Sequence, residues 1–299
     1  MRRRPSALRT GSALTATLLV GASVAGVVAA SSGGQAQPVA LLSGPPQAAI
    51  QVSAEPVKLK ALTLKAVADA QRRGADISVA VLDRQTGRMV TGGDPAAFPL
   101  ASVTKLFIAD DLLLRVSQGK VRLTREDRRA LESMLRSSDD SAANMFWAEG
   151  GGMEIITRVI KRYRLSQITL PYNGDWWNTM GTTTDLVRYY ARLLAGSGGL
   201  PARETDVMLA ALAASTPVGL DGYPQRFGIP DGLSAEPVAV KQGWIDAWGG
   251  PNRLNVSTGV VGPTRRFVIA IASLHPTDEK TARQTLTDTI ATMFPGGHI

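Results

Sequence analysis

The chain has 299 residues, 44% of them hydrophobic and 19% charged, a balance that permits one large globular domain with a sizeable core or two small ones. It has no cysteine and only two histidines; that excludes a disulfide framework, a thiol nucleophile and a lipid-modified cysteine, and it leaves no paired-histidine spacing for a transition metal. The formal charge of +8 is a mild excess: Arg2, Arg3, Arg4 and Arg9 fall in the first 30 residues with no acid beside them, so the rest carries +4, scattered rather than clustered with aromatics, and gives no nucleic-acid footprint.

Residues 1–30 join a basic start to an apolar run rich in Ala, Val and Leu, with small residues at Val28, Ala29 and Ala30 suited to cleavage. This reads as an export signal; left uncleaved, Ala13 to Ala30 is about long enough to anchor the chain in a bilayer. Residues 31–56 are rich in Gly, Pro, Ser and Ala and almost uncharged, which predicts a flexible tether. The expected location is therefore secreted or in the cell envelope, with contact to a membrane only through the first segment. A monomer is expected.

The folded part should begin near Val57. Apolar residues at helical spacing predict a helix over 57–73 with its stop at Gly74. Alternation over 76–93 around a turn at Arg84 to Gly87 predicts a hairpin. From 100 to 225 the pattern is nearly all helical, with segments at 104–119, 124–138, 141–150, 152–164, 182–196 and 202–215. Strands return at 236–244, 253–261 and 266–274, and a last helix covers 278–294. The expected class is α+β, with a sheet of about five antiparallel strands built from both chain ends (57–99 and 226–296), flanked by helices, and an all-α part (100–225) inserted in the middle. No internal repeat is present.

The stretch FPLASVTKLF, residues 98–107, puts Ser102 three positions before Lys105 at a helix start. An ordinary start would carry an acid or amide there, to complete the cap and to suit the positive end of the dipole. A lysine has the wrong sign for that role. At this spacing the two side chains share one helix face, and a partly desolvated lysine can become neutral enough to take a hydroxyl proton. His275, just past the last strand, and His298, next to the C-terminus, are poor bases for a serine triad. Any chemistry must then use Ser, Lys, Tyr or carboxylates, and no site for a metal or an organic cofactor is visible. Ser-x-x-Lys alone arises by chance, so it needs company.

Company comes from RSSDDSAAN, residues 136–144, between two helices, and from VKQGW, residues 240–244, on a strand. With these the chain resembles the penicillin-recognising serine hydrolases, the class A β-lactamases and D,D-peptidases, whose landmarks are S-x-x-K, S-D-N and K-T-G in that order. The resemblance spans roughly 57–296, and TTTDLVRYYARLL is similar to the helix after the active-site loop of class A enzymes. It implies Ser102 as nucleophile and Lys105 as its proton acceptor. Ser138 would link the two lysines and pass a proton to the leaving nitrogen, and Lys241 would hold a substrate carboxylate. The backbone N–H groups of Ser102 and Trp244 would form an oxyanion hole. Gly243 would leave room for substrate along the strand, and Arg253 is a second candidate carboxylate contact. Trp176 and Trp177 read as loop packing.

Three departures stand out. Class A enzymes carry a glutamate, in an E-x-x-L-N stretch, that activates the deacylating water. The corresponding residues 164–185 contain none, and the first carboxylate is Asp175, one methylene shorter. Asp140 stands in place of the asparagine, exchanging a donor for an acceptor. Gln242 stands in place of the threonine, removing a hydroxyl that would grip a carboxylate. The expectation is a serine hydrolase acting on a β-lactam, a cell-wall peptide or an ester, whose acyl-enzyme persists. The alternatives are a non-catalytic or slow penicillin-binding envelope protein on the same fold, and a structural envelope protein with vestigial motifs.

Overall fold

The structure, a computed structural model, describes residues 54–299; the expected signal and most of the expected tether lie outside them. Helix α1 (Ala54–Arg72) starts three residues before the expected Val57. Strands β1 (Asp76–Asp83) and β2 (Arg88–Gly93) form the anticipated hairpin, closed by Asp83 opposite Arg88. The turn is fixed by Gly87 at a φ of 70° and by the Asp83 carboxylate, which accepts from the Gln85 N–H at 2.9 Å.

A short strand β3 (Phe98–Pro99) leads through a 3-10 turn (Ala101–Thr104) into α2 (Lys105–Ser117). There follow α3 (Arg125–Arg136), α4 (Asp140–Glu149), α5 (Met153–Tyr163), the short β4 (Met180–Gly181), α6 (Thr183–Leu194), α7 (Ala202–Ala213) and a single turn α8 (Ile229–Gly232). The caps explain several of these starts. Thr124 and Asp127 form a reciprocal capping box on α3, Thr182 caps α6 through the Asp185 N–H, and Asp139 caps α4 through the Ala142 N–H. The pair β3–β4 and the turn α8 are too short to show in a periodicity reading.

Strands β5 (Val238–Trp248), β6 (Asn252–Val261) and β7 (Phe267–His275) then complete the sheet, and α9 (Glu279–Met293) closes the fold. The sheet order is β2-β1-β7-β6-β5, every pairing antiparallel, so both chain ends contribute strands as expected. Strands β6 and β7 are buried along nearly their whole length because both faces are covered; β7 for that reason reads as an apolar run, while β6 still alternates Leu254 and Val256 with Asn255 and Ser257. One face carries α1 and α9 over Ile77, Val79, Ile271, Leu286 and Ile290. The other faces the helical part, over Leu106, Phe107, Tyr189, Val256 and Ala270.

Helix α2 lies in the middle of the helical part and is buried from Lys105 to Leu114, a helix apolar nearly all round. Its polar residues are clamped. Asp110 accepts from Arg162, from Tyr163 Oη at 2.5 Å and from Tyr189 Oη at 3.1 Å, and Asp111 takes both arms of Arg158 at 2.7 Å. These bonds tie α2 to α5 and α6, and they fix the first residue of α2, Lys105, in space.

Candidate active site

Ser102 lies in the 3-10 turn that runs directly into α2, so Lys105, the first residue of the helix proper, sits one turn later on the same side. Lys105 Nζ is 2.8 Å from Ser102 Oγ. It also reaches the Ser138 carbonyl at 2.7 Å, Ser138 Oγ at 3.0 Å and Asp140 Oδ1 at 2.5 Å. Those are four acceptors for a group with three donors. From the other side Lys241 Nζ donates to the same Ser138 Oγ at 3.0 Å and to the Gln242 carbonyl at 3.0 Å. Ser138 is thus the bridge between two buried lysines, and the four residues Ser102, Lys105, Ser138 and Lys241 come together from three separate elements.

The backbone on either side of this cluster is held in an unusual conformation. Ala101 and Ser138 have φ of 48° and 58°, the left-handed region that residues with a Cβ enter only when the surroundings impose it. At Ser138 this bend lets the carbonyl and the hydroxyl both reach Lys105. Neither residue is a glycine, so the sequence carries no warning of it.

The two lysines are depressed in pKa, for different balances of cause. Burial lowers Lys105, and the nearby charges of Asp140, Asp221 and Asp139 oppose that shift without cancelling it. Burial lowers Lys241 strongly, Lys105 beside it lowers it further, and Asp140 and Asp221 act in the opposite sense. A site with two crowded cations favours a neutral lysine next to the serine. Ser102 itself is only 8% exposed, at the floor of the cleft.

Gly243 lies against the backbone of the nucleophile. A Cβ there would lie 2.8 Å from the Leu100 carbonyl oxygen and 3.2 Å from the Ser102 nitrogen. The absent side chain therefore lets strand β5 pack against the backbone that carries Ser102. Trp244 follows on the strand. Its ring stacks on Tyr223 at 4.6 Å and its Nε1 donates to Asp221 Oδ2 at 3.0 Å.

Three expected contacts are corrected. Gln242 is paired with Ser257 and belongs to the opposite face of β5 from Lys241, because side chains alternate along a strand. Its amide donates to the Gln225 and Phe227 carbonyls at 3.0 and 2.7 Å, so it is a strut beneath the sheet and not a substrate group. Arg253 donates to the Asp246 carbonyl rather than to any of the four bridged residues. Asp175 accepts from Asn173 Nδ2 at 2.6 Å within its own loop, and no described hydrogen bond joins it to Ser102, Lys105 or Ser138.

The loop instead delivers the next residue. The Trp176 ring centroid lies 4.8 Å from Lys105 Nζ, with the indole Nε1 anchored on Asn144 Oδ1 at 2.8 Å. Trp176 is 3% exposed and meets Trp177 edge-on at 5.2 Å. Loop packing describes it, but the packing is against the base. The sequence reading also passed over Asp221, which lies in a Gly- and Pro-containing loop whose only signal is that of a turn.

Among the described residues no group of three or more His, Asp or Glu could hold a metal ion, and no helix is long and apolar enough to cross a membrane.

The fold and the disposition of these motifs are those of the penicillin-recognising serine hydrolases of class A type. Solved structures bear this out at the level of fold: TLA-3 extended-spectrum β-lactamase is 13% identical with a TM-score of 0.63 over 77% of this chain and 97% of that one. A β lactamase from Xanthomonas campestris is 18% identical with a TM-score of 0.62 over 79% and 97%. The family model described as "Beta-lactamase enzyme family" matches residues 126–293, a span that holds Ser138, Asp140 and Lys241 and begins after Ser102 and Lys105. The chain is 54% identical over 235 residues, 79% of its own length and 74% of theirs, to proteins of Mycobacterium bovis and Mycobacterium tuberculosis with the name "Putative lipoprotein LppW". The chain belongs to the beta-lactamase enzyme family.

Proposed function

We propose that the chain is an exported serine hydrolase that forms an acyl-enzyme on Ser102. The observation that carries this reading is the bridge Ser102–Lys105–Ser138–Lys241, in which every link is a hydrogen bond of 2.8 to 3.0 Å. A purely binding protein would need neither a nucleophile nor two buried lysines. Neutral Lys105 takes the Ser102 proton as Oγ attacks a substrate carbonyl, and the N–H groups of Ser102 and Trp244 receive the charge on its oxygen. Ser138, between the lysines, hands a proton to the leaving nitrogen.

Deacylation is the slow half. Trp176 lies over Lys105, residues 164–185 carry no glutamate to activate water, and the acyl-enzyme persists. This favours a penicillin-binding or slowly hydrolysing protein over an efficient lactamase. The relatives carry the name "Putative lipoprotein LppW", which supports an envelope location, and we place this domain outside the cytoplasm. Without a cysteine in the sequence, any attachment runs through the apolar segment near the N-terminus rather than a thioether lipid. The test is intact-protein mass spectrometry after mixing with a penicillin, beside a chromogenic hydrolysis assay. A lasting adduct with little turnover supports this reading; rapid turnover contradicts the slow deacylation, and no adduct with any β-lactam, ester or peptide contradicts the hydrolase.

A further inference from the structure

The rim of the cleft has the wrong sign for the substrates its family handles. An anionic substrate needs an accessible cation or hydroxyl, and the candidates for that role are used up elsewhere. Lys241 is 1% exposed and spends its donors on Ser138 Oγ and the Gln242 carbonyl. Gln242 donates to the Gln225 and Phe227 carbonyls, and Arg253 donates to the Asp246 carbonyl. Arg136, just before the Ser138 loop, donates to the Ala214 carbonyl and to Glu132.

Two carboxylates occupy the rim instead. Asp140 starts α4 beside Lys105, and its side chain is 65% exposed, so one oxygen pairs with the lysine while the other faces solvent. Asp221 is the second, close enough for its charge to act on both Lys105 and Lys241. The Leu220 N–H donates to the Ser137 carbonyl at 2.9 Å, tying this loop to the residue before Ser138, and Asp221 takes the Trp244 indole at 3.0 Å and the Tyr223 N–H at 3.0 Å. Two carboxylates near a serine nucleophile focus negative potential on an arriving ligand. It attracts a cation and repels an anion, as charge complementarity requires. The half-buried Trp244 adds an aromatic surface of the kind that cations favour.

We infer that the substrate of the Ser102 site carries an ammonium or similar cationic group near its scissile carbonyl, and that Asp140 and Asp221 select it over the carboxylate-bearing substrates typical of the fold. This rests on the reading of Ser102 as nucleophile. Cationic peptides and amino-bearing acyl groups fit the requirement.

The experiment uses three alkyl fluorophosphonates of one chain length, ending in a methyl, an ammonium or a carboxylate group, with second-order labelling rates followed by intact mass at low ionic strength. Ser102 displaces fluoride from phosphorus and forms a stable phosphonyl ester, so labelling by the neutral probe tests the nucleophile on its own. The ammonium probe should label about tenfold or more faster than the carboxylate probe, and the ratio should fall toward one in the Asp140→Asn/Asp221→Asn variant and at high salt. Circular dichroism and Tm establish that the variant is folded; each Asn retains an acceptor oxygen for its partners. Labelling by the neutral probe with the carboxylate probe equal or faster overturns the inference and leaves the nucleophile standing. No labelling of Ser102 by any probe overturns both. A preference that survives in the double variant overturns the assignment to these two residues.

Discussion

Replacing Asp140 by Asn should leave Lys105 deprotonated down to lower pH. The carboxylate oxygen lies 2.5 Å from Nζ, an ion pair between a fully buried ammonium and a side chain that is 65% exposed. Two unit charges about 4 Å apart interact by about 1 kcal/mol in water and about 4 kcal/mol at the effective dielectric of a protein surface. The exposure of Asp140 places this pair in the lower half of that range, about 1–2 kcal/mol after screening. Removing it weakens the hold of Lys105 on its proton by roughly five- to thirtyfold. Because Asp140 opposes the lowering caused by burial, its loss lets the lysine pKa fall further. The acid limb of the acylation profile should therefore move to lower pH, with rates below the limb rising five- to thirtyfold and the plateau above it unchanged. Labelling by the neutral fluorophosphonate from pH 5 to 9 measures this, since that probe needs no contact with residue 140. A limb that stays in place, or moves to higher pH, would refute the coupling of Asp140 to the base.

Gly243→Val should cost about 1–3 kcal/mol and abolish labelling of Ser102, because its Cβ would meet the Leu100 carbonyl oxygen at 2.8 Å and push β5 off the nucleophile's backbone; unchanged Tm and labelling would count against that packing role. Lys241→Met should lose activity while changing the pH dependence of stability. The folded lysine binds its proton less tightly than the unfolded one, so the penalty of burying it is present at neutral pH and fades as pH rises toward the ordinary lysine range. The stability of the variant relative to wild type should then decline between pH 7 and 10, and denaturant titrations at both values check the sign. Asp110→Ala leaves Arg162 and two tyrosine hydroxyls without their buried acceptor and should destabilise by about 3–5 kcal/mol, read from chemical denaturation; a loss under 1 kcal/mol would show that α2 does not depend on this clamp.

Much of this fold is written in its periodicities. The hairpin at 76–93, the late strands and the helical block from 100 to 225 each carry a local signal, enough to place both chain ends in one sheet, while the strand order comes from the structure. Ser102 and Lys105 were legible because a serine and a lysine at helical spacing put two side chains on one face whatever surrounds them, whereas Ser138 and Lys241 stood out only through the resemblance to the S-D-N and K-T-G landmarks. What failed was side-chain direction. Gln242 was singled out by its place in the K-T-G landmark and Arg253 as a second candidate carboxylate contact, but the strand's twofold alternation sends Gln242 to the face opposite Lys241, where its amide meets the Phe227 carbonyl, and Arg253 meets the Asp246 carbonyl. Asp175 was chosen as the nearest carboxylate in its loop, and the loop turns one residue further, bringing the Trp176 indole to Lys105 instead. The left-handed backbone at Ala101 and Ser138 has no signature in residue type at all. Asp221 was missed because its partners, Trp244 and Tyr223, are brought to it only by the tertiary fold.

The most direct test of the central claim is site-resolved labelling of the domain with the neutral fluorophosphonate, followed by peptide mapping. The account predicts one adduct per chain on the peptide carrying Ser102, absent in Ser102→Ala and slowed at least a hundredfold in Lys105→Met, the usual scale for losing a positioned proton acceptor. An adduct on another residue, or a Lys105→Met variant that labels at the wild-type rate, would contradict it.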